Sequence, residues 1–369
     1  MTFSGFSQVQ ISGQLDVVLR NPNAVDNSNK TFINFSNYDF YRTRIFLDAK
    51  PAENVTVFTQ ILVDNGEFNL YGAYIRLSFF EELLNFHLGL IPNTVGIWGP
   101  RTYSDKNPFI AVPLVYNYHT SYALKGLDPG EDIFTTTPDG IIALKGKGYL
   151  FRGLPVLYDA CWNSGLEIFG SYKMFDWSLA AISGSASYPA RQPARDLPQV
   201  TTRLTYFPIA HINVSLSGYY GPYLNDEIID ILNVETGTVK SVNDFINSGV
   251  GVSFVYSGEY FEIFSEAFHS AWDHPFLGDL TASSSYVDLS YKFAPQWFGG
   301  IRGEIMRFSE VEGSLGKTEW DYPLNRYELV IGHKINRNVI LKLDTQFSQY
   351  PDKKSINDHI YAIQVSTTF

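Results

Sequence analysis

Few residues of this 369-residue chain are spaced to break bonds or hold metals. Among seven histidines, His269 and His274, either side of Asp273, come closest to metal-ligand spacing, in a stretch that reads as a loop. A site built on them would still lack the closed ligand set of a structural metal. "GLIPNTVG" (89–96) is the nearest approach to a phosphate-cradling loop, but it lacks the Lys-Ser/Thr ending that grips phosphate and Mg²⁺. "NPNAVDNSNK" (21–30) carries calcium-type oxygens and reads as a solvated loop. Cys161 stands alone, so no intrachain disulfide forms. No enzyme, metal or cofactor is expected. What does recur is charge at every second position, as in Arg42/Arg44, Arg302/Glu304, Arg326/Glu328 and Lys342/Asp344. A spacing of two puts both members on one face of a strand. The chemistry that suits such rows is the handling of ions.

The elements that would carry these rows are strands of strict alternation. "YAIQVSTTF" (361–369) sets Tyr361, Ile363, Val365, Thr367 and Phe369 on one face and Ala362, Gln364, Ser366 and Thr368 on the other. The same period of 2 runs through 3–19, 41–49, 55–63, 70–79, 85–91, 158–170 and 177–184. It continues through 199–207, 212–220, 247–256, 260–268, 284–293, 297–308, 325–335 and 339–348, which makes sixteen strands with the last. Short connections ("KPAEN", "FPIAH", "SGE", "APQ", "INRN") alternate with longer polar ones at 21–36, 185–198, 222–245, 270–283 and 309–324. One connection, about 92–157, is far longer than the rest.

Charge segregates by face. The apolar parity carries none between the rims, with Arg307 sharing it at a strand end. The other parity carries Asp16, Arg20, Arg42, Arg44, Asp48, Arg76, Glu167, Arg203, Glu262, Glu266, Asp288, Lys292, Arg302, Glu304, Arg326, Glu328, Lys334, Lys342 and Asp344. A charge at mid-bilayer costs roughly 2–4 kcal/mol, so lipid contact would impose this sorting. Mean hydropathy is −0.08 because the polar parity cancels the apolar one. Aromatics are enriched at 16%, with Phe79, Trp177, Phe207, Tyr256, Phe293 and Trp297 beside short turns and Tyr71 and Tyr220 near long-loop ends. That distribution predicts two interfacial girdles. No run approaches the ~20 apolar residues of a membrane helix. The expected fold is all-β: one domain over 1–369, a 16-stranded antiparallel transmembrane β-barrel with short periplasmic turns and long extracellular loops. The net charge of −11 argues against nucleic acid as a partner. Met1 leads directly into strand-like sequence, so an export signal is expected to have been removed from this chain.

With this pattern the chain resembles the bacterial outer-membrane porins of the sixteen-stranded, trimeric type. The resemblance covers the whole chain in architecture, and its short motif is the terminal strand ending in Phe369. It implies an outer-membrane location, contact with lipid and lipopolysaccharide, and a homotrimer. It also implies that Phe369 is the signal read by the barrel-assembly machinery. "LGLIPNTVG" (88–96) is similar to the corresponding point of the phosphate-selective porin O/P family, whose arginine ladder has a partial counterpart here and whose lysine clusters have none. The resemblance further implies that the long third loop, 92–157, folds into the lumen as a constriction. Its charged candidates are Arg101, Asp105, Lys106, Asp128, Glu131 and Asp132.

Sixteen strands enclose an aqueous channel too wide for side chains to fill. On its wall Arg42, Arg44 and Arg76 are expected to form a positive patch, with Arg203, Arg302, Glu304, Lys342 and Asp344 as further lining. Acids and bases on the wall nearly balance, and each arginine has a neighbouring carboxylate to pair with, as Arg302 has Glu304 and Arg326 has Glu328. The expectation is a weakly charge-selective pore for ions and small hydrophilic solutes. A barrel plugged by 92–157 and acting as an adhesin, receptor or scaffold is the alternative, and an anion-selective, phosphate-type channel is another. An outer-membrane phospholipase would need a lipid-facing Ser–His pair, and His333 has the outward parity but sits beside a turn.

Overall fold

In the computed structural model the described residues are 9–21, 41–64, 67–80, 83–92, 94–118, 120, 135–136, 142–143, 154–158, 162–190, 197–224, 229–230, 233, 237, 239–274, 278–313, 316–321, 323–351 and 357–369. Alternating side chains along each segment give strands with one face outward and one inward. In chain order the first eight are β1 (Val9–Arg20), β2 (Tyr41–Ala52), β3 (Val55–Asp64), β4 (Glu67–Phe79), β5 (Leu84–Ile91), β6 (Asn163–Tyr172), β7 (Phe175–Ile182) and β8 (Gln199–Ile209). The others are β9 (Ile212–Pro222), β10 (Ile246–Ser257), β11 (Phe261–His274), β12 (Gly278–Ala294), β13 (Trp297–Phe308), β14 (Leu324–Lys334), β15 (Val339–Gln349) and β16 (Asn357–Thr368). They form a closed barrel in which each strand pairs antiparallel with its chain neighbours. β1 and β16 close it in the register Leu15↔Thr367 to Arg20↔Ala362.

Closure leaves no free sheet edge, and the outward face carries the apolar parity. Along β10 and β15, for example, Val250, Val252, Phe254 and Leu343 are exposed outward while Ser253 and Lys342 are buried inward. Short turns join alternate strands at one end. At Ala294–Trp297, Pro295 is followed by Gln296 at φ 67°, the left-handed backbone that the third residue of a type II turn requires. Phe369 lies over Gly13, where a Cβ would meet its ring, and the two residues exchange backbone hydrogen bonds of 2.9 and 3.0 Å.

Several elements differ from the sequence expectation. The sixth strand starts at Asn163 rather than 158, because the Tyr158 N–H bonds to Ala186 O at 2.8 Å in the loop region. The expected long loop 270–283 is mostly strand, since Ala271↔Thr281, Trp272↔Leu280 and Asp273↔Asp279 extend the ladder. Its inward residues, Trp272 and Leu280, are apolar and buried, which breaks the wet-inside pattern. Among the expected girdle residues, Phe79, Tyr220, Phe293 and Trp297 are exposed outward. At the bulged end of β8 it is Tyr206, not Phe207, that is the exposed aromatic, and it stacks on Phe175. Tyr71 is the extra residue of a bulge in β4 and packs on Trp162 instead of joining a girdle.

Candidate functional site

A loop carried inside a barrel must find partners for its own N–H and C=O groups. Residues 94–118 meet this requirement with the charged inner wall. Lys342 on β15 donates to the carbonyls of Ser104 and Asn107 at 2.7 Å and of Phe109 at 3.3 Å. Arg302 on β13 donates to Ala111 O at 2.9 Å, and Arg326 on β14 to Val112 O at 2.6 Å. Carboxylates accept from the N–H groups: Asp344 from Ile110 at 3.0 Å, Glu328 from Ala111 at 3.1 Å and Glu304 from Leu114 at 2.5 Å. Glu266 on β11 accepts from the Ile97 N–H at 3.1 Å and the Tyr116 hydroxyl at 2.5 Å. Burial and the Glu266 carboxylate push the Tyr116 hydroxyl well above its ordinary range, so it stays protonated and donates.

The same side chains neutralise one another across strands. Arg302 forks onto Asp288 at 2.6 and 2.9 Å and reaches Glu328 at 2.9 Å, while Arg326 meets Glu304 at 2.6 Å. These are the register-opposed residues of β12, β13 and β14. The expected same-strand pairs, Arg302 with Glu304 and Arg326 with Glu328, therefore give way to cross-strand pairs. Opposed residues lie closer than residues two apart on one strand. Arg101 adds a contact to Asp288 at 2.8 Å and lies 3.8 Å over the Phe264 ring.

The two walls of the lumen thus differ. Arg302, Glu304, Lys342 and Asp344, expected to line water, are instead covered by residues 94–118 and at most 5% exposed. Arg42 and Arg44 are also buried, Arg44 meeting Asp16 and Gln14 at 3.2 Å and Thr102 O at 3.3 Å. Arg76 and Arg203 remain half-exposed, the first bonded to Asn85 at 3.2 Å and the second to Gly96 O at 2.7 Å. Arg101 is buried, Asp105 pairs with the exposed Lys106 at 2.9 Å, and Asp128, Glu131 and Asp132 lie outside the described residues. Toward the long-loop end the segment's Trp98, Leu114, Val115, Tyr116 and Tyr118 join the wall residues Trp272 and Phe308, and Trp320 of the β13–β14 connection, in an apolar core inside the barrel.

A cavity and a row of incompletely covered side chains lie beside this packing. At the short-turn end a cavity of about 960 Å³ opens below 104–108, with Glu262, Lys292 and Lys334 on its wall. Along β2–β6 the inward Phe46, Asp48, Phe58, Tyr74, Arg76 and Phe169 stay half-buried. No motif in the sequence marks the aromatic side chains here, or Trp98, Tyr103 and Tyr116 in the segment, as site residues. Apolar residues on the polar parity, as at Phe46, Phe58 and Tyr74, were the available signal.

The histidines divide as the strands dictate. His269 and His274 belong to β11, not a loop, and an odd spacing sends them to opposite faces, His269 exposed and His274 buried. His269 does face outward beside Ser283, Nδ1 to Oγ 2.8 Å. The residues opposite and beside it on that face, Val250, Ala267 and Ala271, supply no acid to orient it. The neighbouring backbone N–H groups are taken by the ladder, which leaves none to stabilise an oxyanion.

No protein-family model matches the chain, and no curated protein matches it in sequence. Among solved structures it is similar to OmpF of Salmonella typhi, 11% identical over 98% of each chain with a TM-score of 0.59. It is similar to an anion-selective porin from Comamonas acidovorans, 10% identical over 99% of this chain and 100% of that one, TM-score 0.58. A third likeness is to OmpT, an outer membrane protein of Vibrio cholerae in a trimer form, 10% identical over 98% and 99% of the two chains, TM-score 0.54. The chain has the closed barrel fold of the bacterial porins.

Proposed function

We propose that the protein is an outer-membrane porin that passes ions and small hydrophilic solutes by diffusion through the part of the lumen left free by residues 94–118. The observation that carries this reading is the asymmetry of the wall: Asp288, Arg302, Glu304, Arg326 and Glu328 of β12–β14 are covered and internally neutralised, while Phe46, Asp48, Phe58, Tyr74, Arg76 and Phe169 on the β2–β6 side stay half-exposed. Sorting of charge to the inner face supports a membrane position, and no chemistry is assigned to the protein. In this reading the whole chain is one barrel domain, 94–118 is the constriction, and the outer surface contacts lipid and lipopolysaccharide. Phe369 is the assembly signal, and the chain forms a homotrimer, as one of its structural neighbours does.

Selectivity in this reading is weak, because Arg44 is offset by Asp16, and accessible inward charges such as Arg76, Arg203, Asp48, Glu262, Lys292 and Lys334 are of both signs. The test is current across a planar bilayer under a salt gradient. Stable ohmic steps with a small reversal potential are expected, and Arg76→Gln should move that potential by several millivolts toward cation preference. The apolar core around Trp98 favours a second reading, a plugged barrel serving as a scaffold or receptor. Silence from folded, inserted protein would establish that reading and end the first.

A further inference from the structure

We infer that the lumen carries a binding site for neutral carbohydrate rings on the β2–β6 wall; this rests on the porin reading. Polar side chains are what a water-filled wall requires, yet aromatic rings gather there. Phe58 and Tyr74 are register partners on β3 and β4 with ring centroids 5.0 Å apart. Trp162 lies parallel to Phe58, at 5.9 Å and 7°, and near-parallel to Tyr74 at 6.2 Å. Phe46 continues the group toward Tyr103 of the inserted segment at 5.5 Å. In the other direction Tyr74 meets His87 at 4.5 Å, and His87 meets Phe169 at 4.4 Å. Trp162 reaches its place because Gly72 has no side chain: a Cβ there would run into the indole.

These rings make a continuous apolar surface across five strands, and each is only half-buried. Packing the inserted segment accounts for Tyr103, whose hydroxyl donates to Gln60 at 3.1 Å. It does not account for Phe58, Tyr74 and Phe169. Flat apolar surface with a few placed polar groups is the composition of a small-molecule site. The polar groups beside the rings decide its ligand. Asp48 is the register partner of Phe58, and Arg76 lies 5.3 Å over the Phe169 ring. A carboxylate and a guanidinium together supply the acceptor and the donors that neighbouring hydroxyls need. A pyranose offers both an apolar C–H face for the rings and hydroxyls at its edge. An aromatic carboxylate would meet Asp48 as a like charge, and a linear polyol has no flat face to stack.

The test is block of the single-channel current by added solute. A linear glucose trisaccharide should block with a half-effect on the order of millimolar, the range of a few weak contacts. Sorbitol should lower current only as viscosity does, and benzoate should not block. Phe58→Ala should raise the half-blocking concentration about tenfold while salt conductance changes by less than about twofold. Phe58→Leu, which keeps apolar bulk but removes the flat face, should do the same and covers the case that the alanine variant folds poorly. Equal block by trisaccharide and sorbitol, block by benzoate alone, or unchanged block in both variants would overturn the assignment. If the folded protein carries no current in salt, the porin reading fails by itself. The site is then decided by trisaccharide titration of the folded barrel by calorimetry, where heat that is lost in Phe58→Leu supports it and no heat rejects it.

Discussion

At the scale of single residues, the charges of the β12–β15 wall act as main-chain partners. Arg302, Arg326 and Lys342 each meet a carbonyl of the inserted segment, and Glu304, Glu328 and Asp344 each meet an N–H, so their sign pattern copies the loop backbone's own donors and acceptors. Removing one member strands several others. Arg302→Met removes the cation shared by Asp288 and Glu328 in a fully buried place, leaving Asp288 with Arg101 alone and Glu328 with no cation bonded to it among the described contacts. Breaking one partner of a buried ion pair costs about 3–5 kcal/mol. Denaturant unfolding of the detergent-folded barrel is expected to show a loss of that size. A surface change such as Lys106→Met, at an exposed pair, should stay within about 0.5 kcal/mol.

At the scale of elements, the inserted segment and the barrel are held by different means. The sixteen strands form a complete ladder among themselves, so the barrel does not require the segment to satisfy its backbone. Without the segment, the wall charges would face water and keep their cross-strand partners. Replacing residues 97–117 by a short Gly-Ser linker is therefore expected to leave a folded barrel whose single-channel conductance is raised several-fold. Circular dichroism and bilayer recording check the two halves of that statement. The same reasoning separates this deletion from Arg302→Met, where the segment remains and keeps unpaired charge dry.

At the scale of the whole molecule, closure depends on β16 meeting β1, and the last residue sits at that seam. The ring of Phe369 covers Gly13, and its backbone bonds there do not depend on the side chain. Phe369→Asp is expected to refold in detergent with stability within about 1 kcal/mol of the parent, since it loses one partly exposed packing contact. In cells its folded fraction in the outer membrane should fall several-fold if the ring is an assembly address. Heat-modifiable gel mobility of membrane fractions measures this, and an undiminished level would remove the addressing role.

The alternation in "YAIQVSTTF" and in the other strands determined the barrel by itself, including strand number and the face given to each charge. A period of 2 is local, and a bilayer tolerates charge on one face only. The extent of individual strands was less legible: 270–283 read as loop because Trp272 and Leu280 put apolar groups on the polar parity. Only the tertiary structure decided what the inner charges do. Arg302 and Glu304 are neighbours in sequence parity, but strand register pairs Arg302 with Asp288 and Glu328, and Glu304 with Arg326. Likewise the rings of Phe46, Phe58, Tyr74 and Phe169 come from separate strands, and their gathering is set by register and barrel closure. Contacts of that kind join residues far apart in the chain, so no local pattern encodes them.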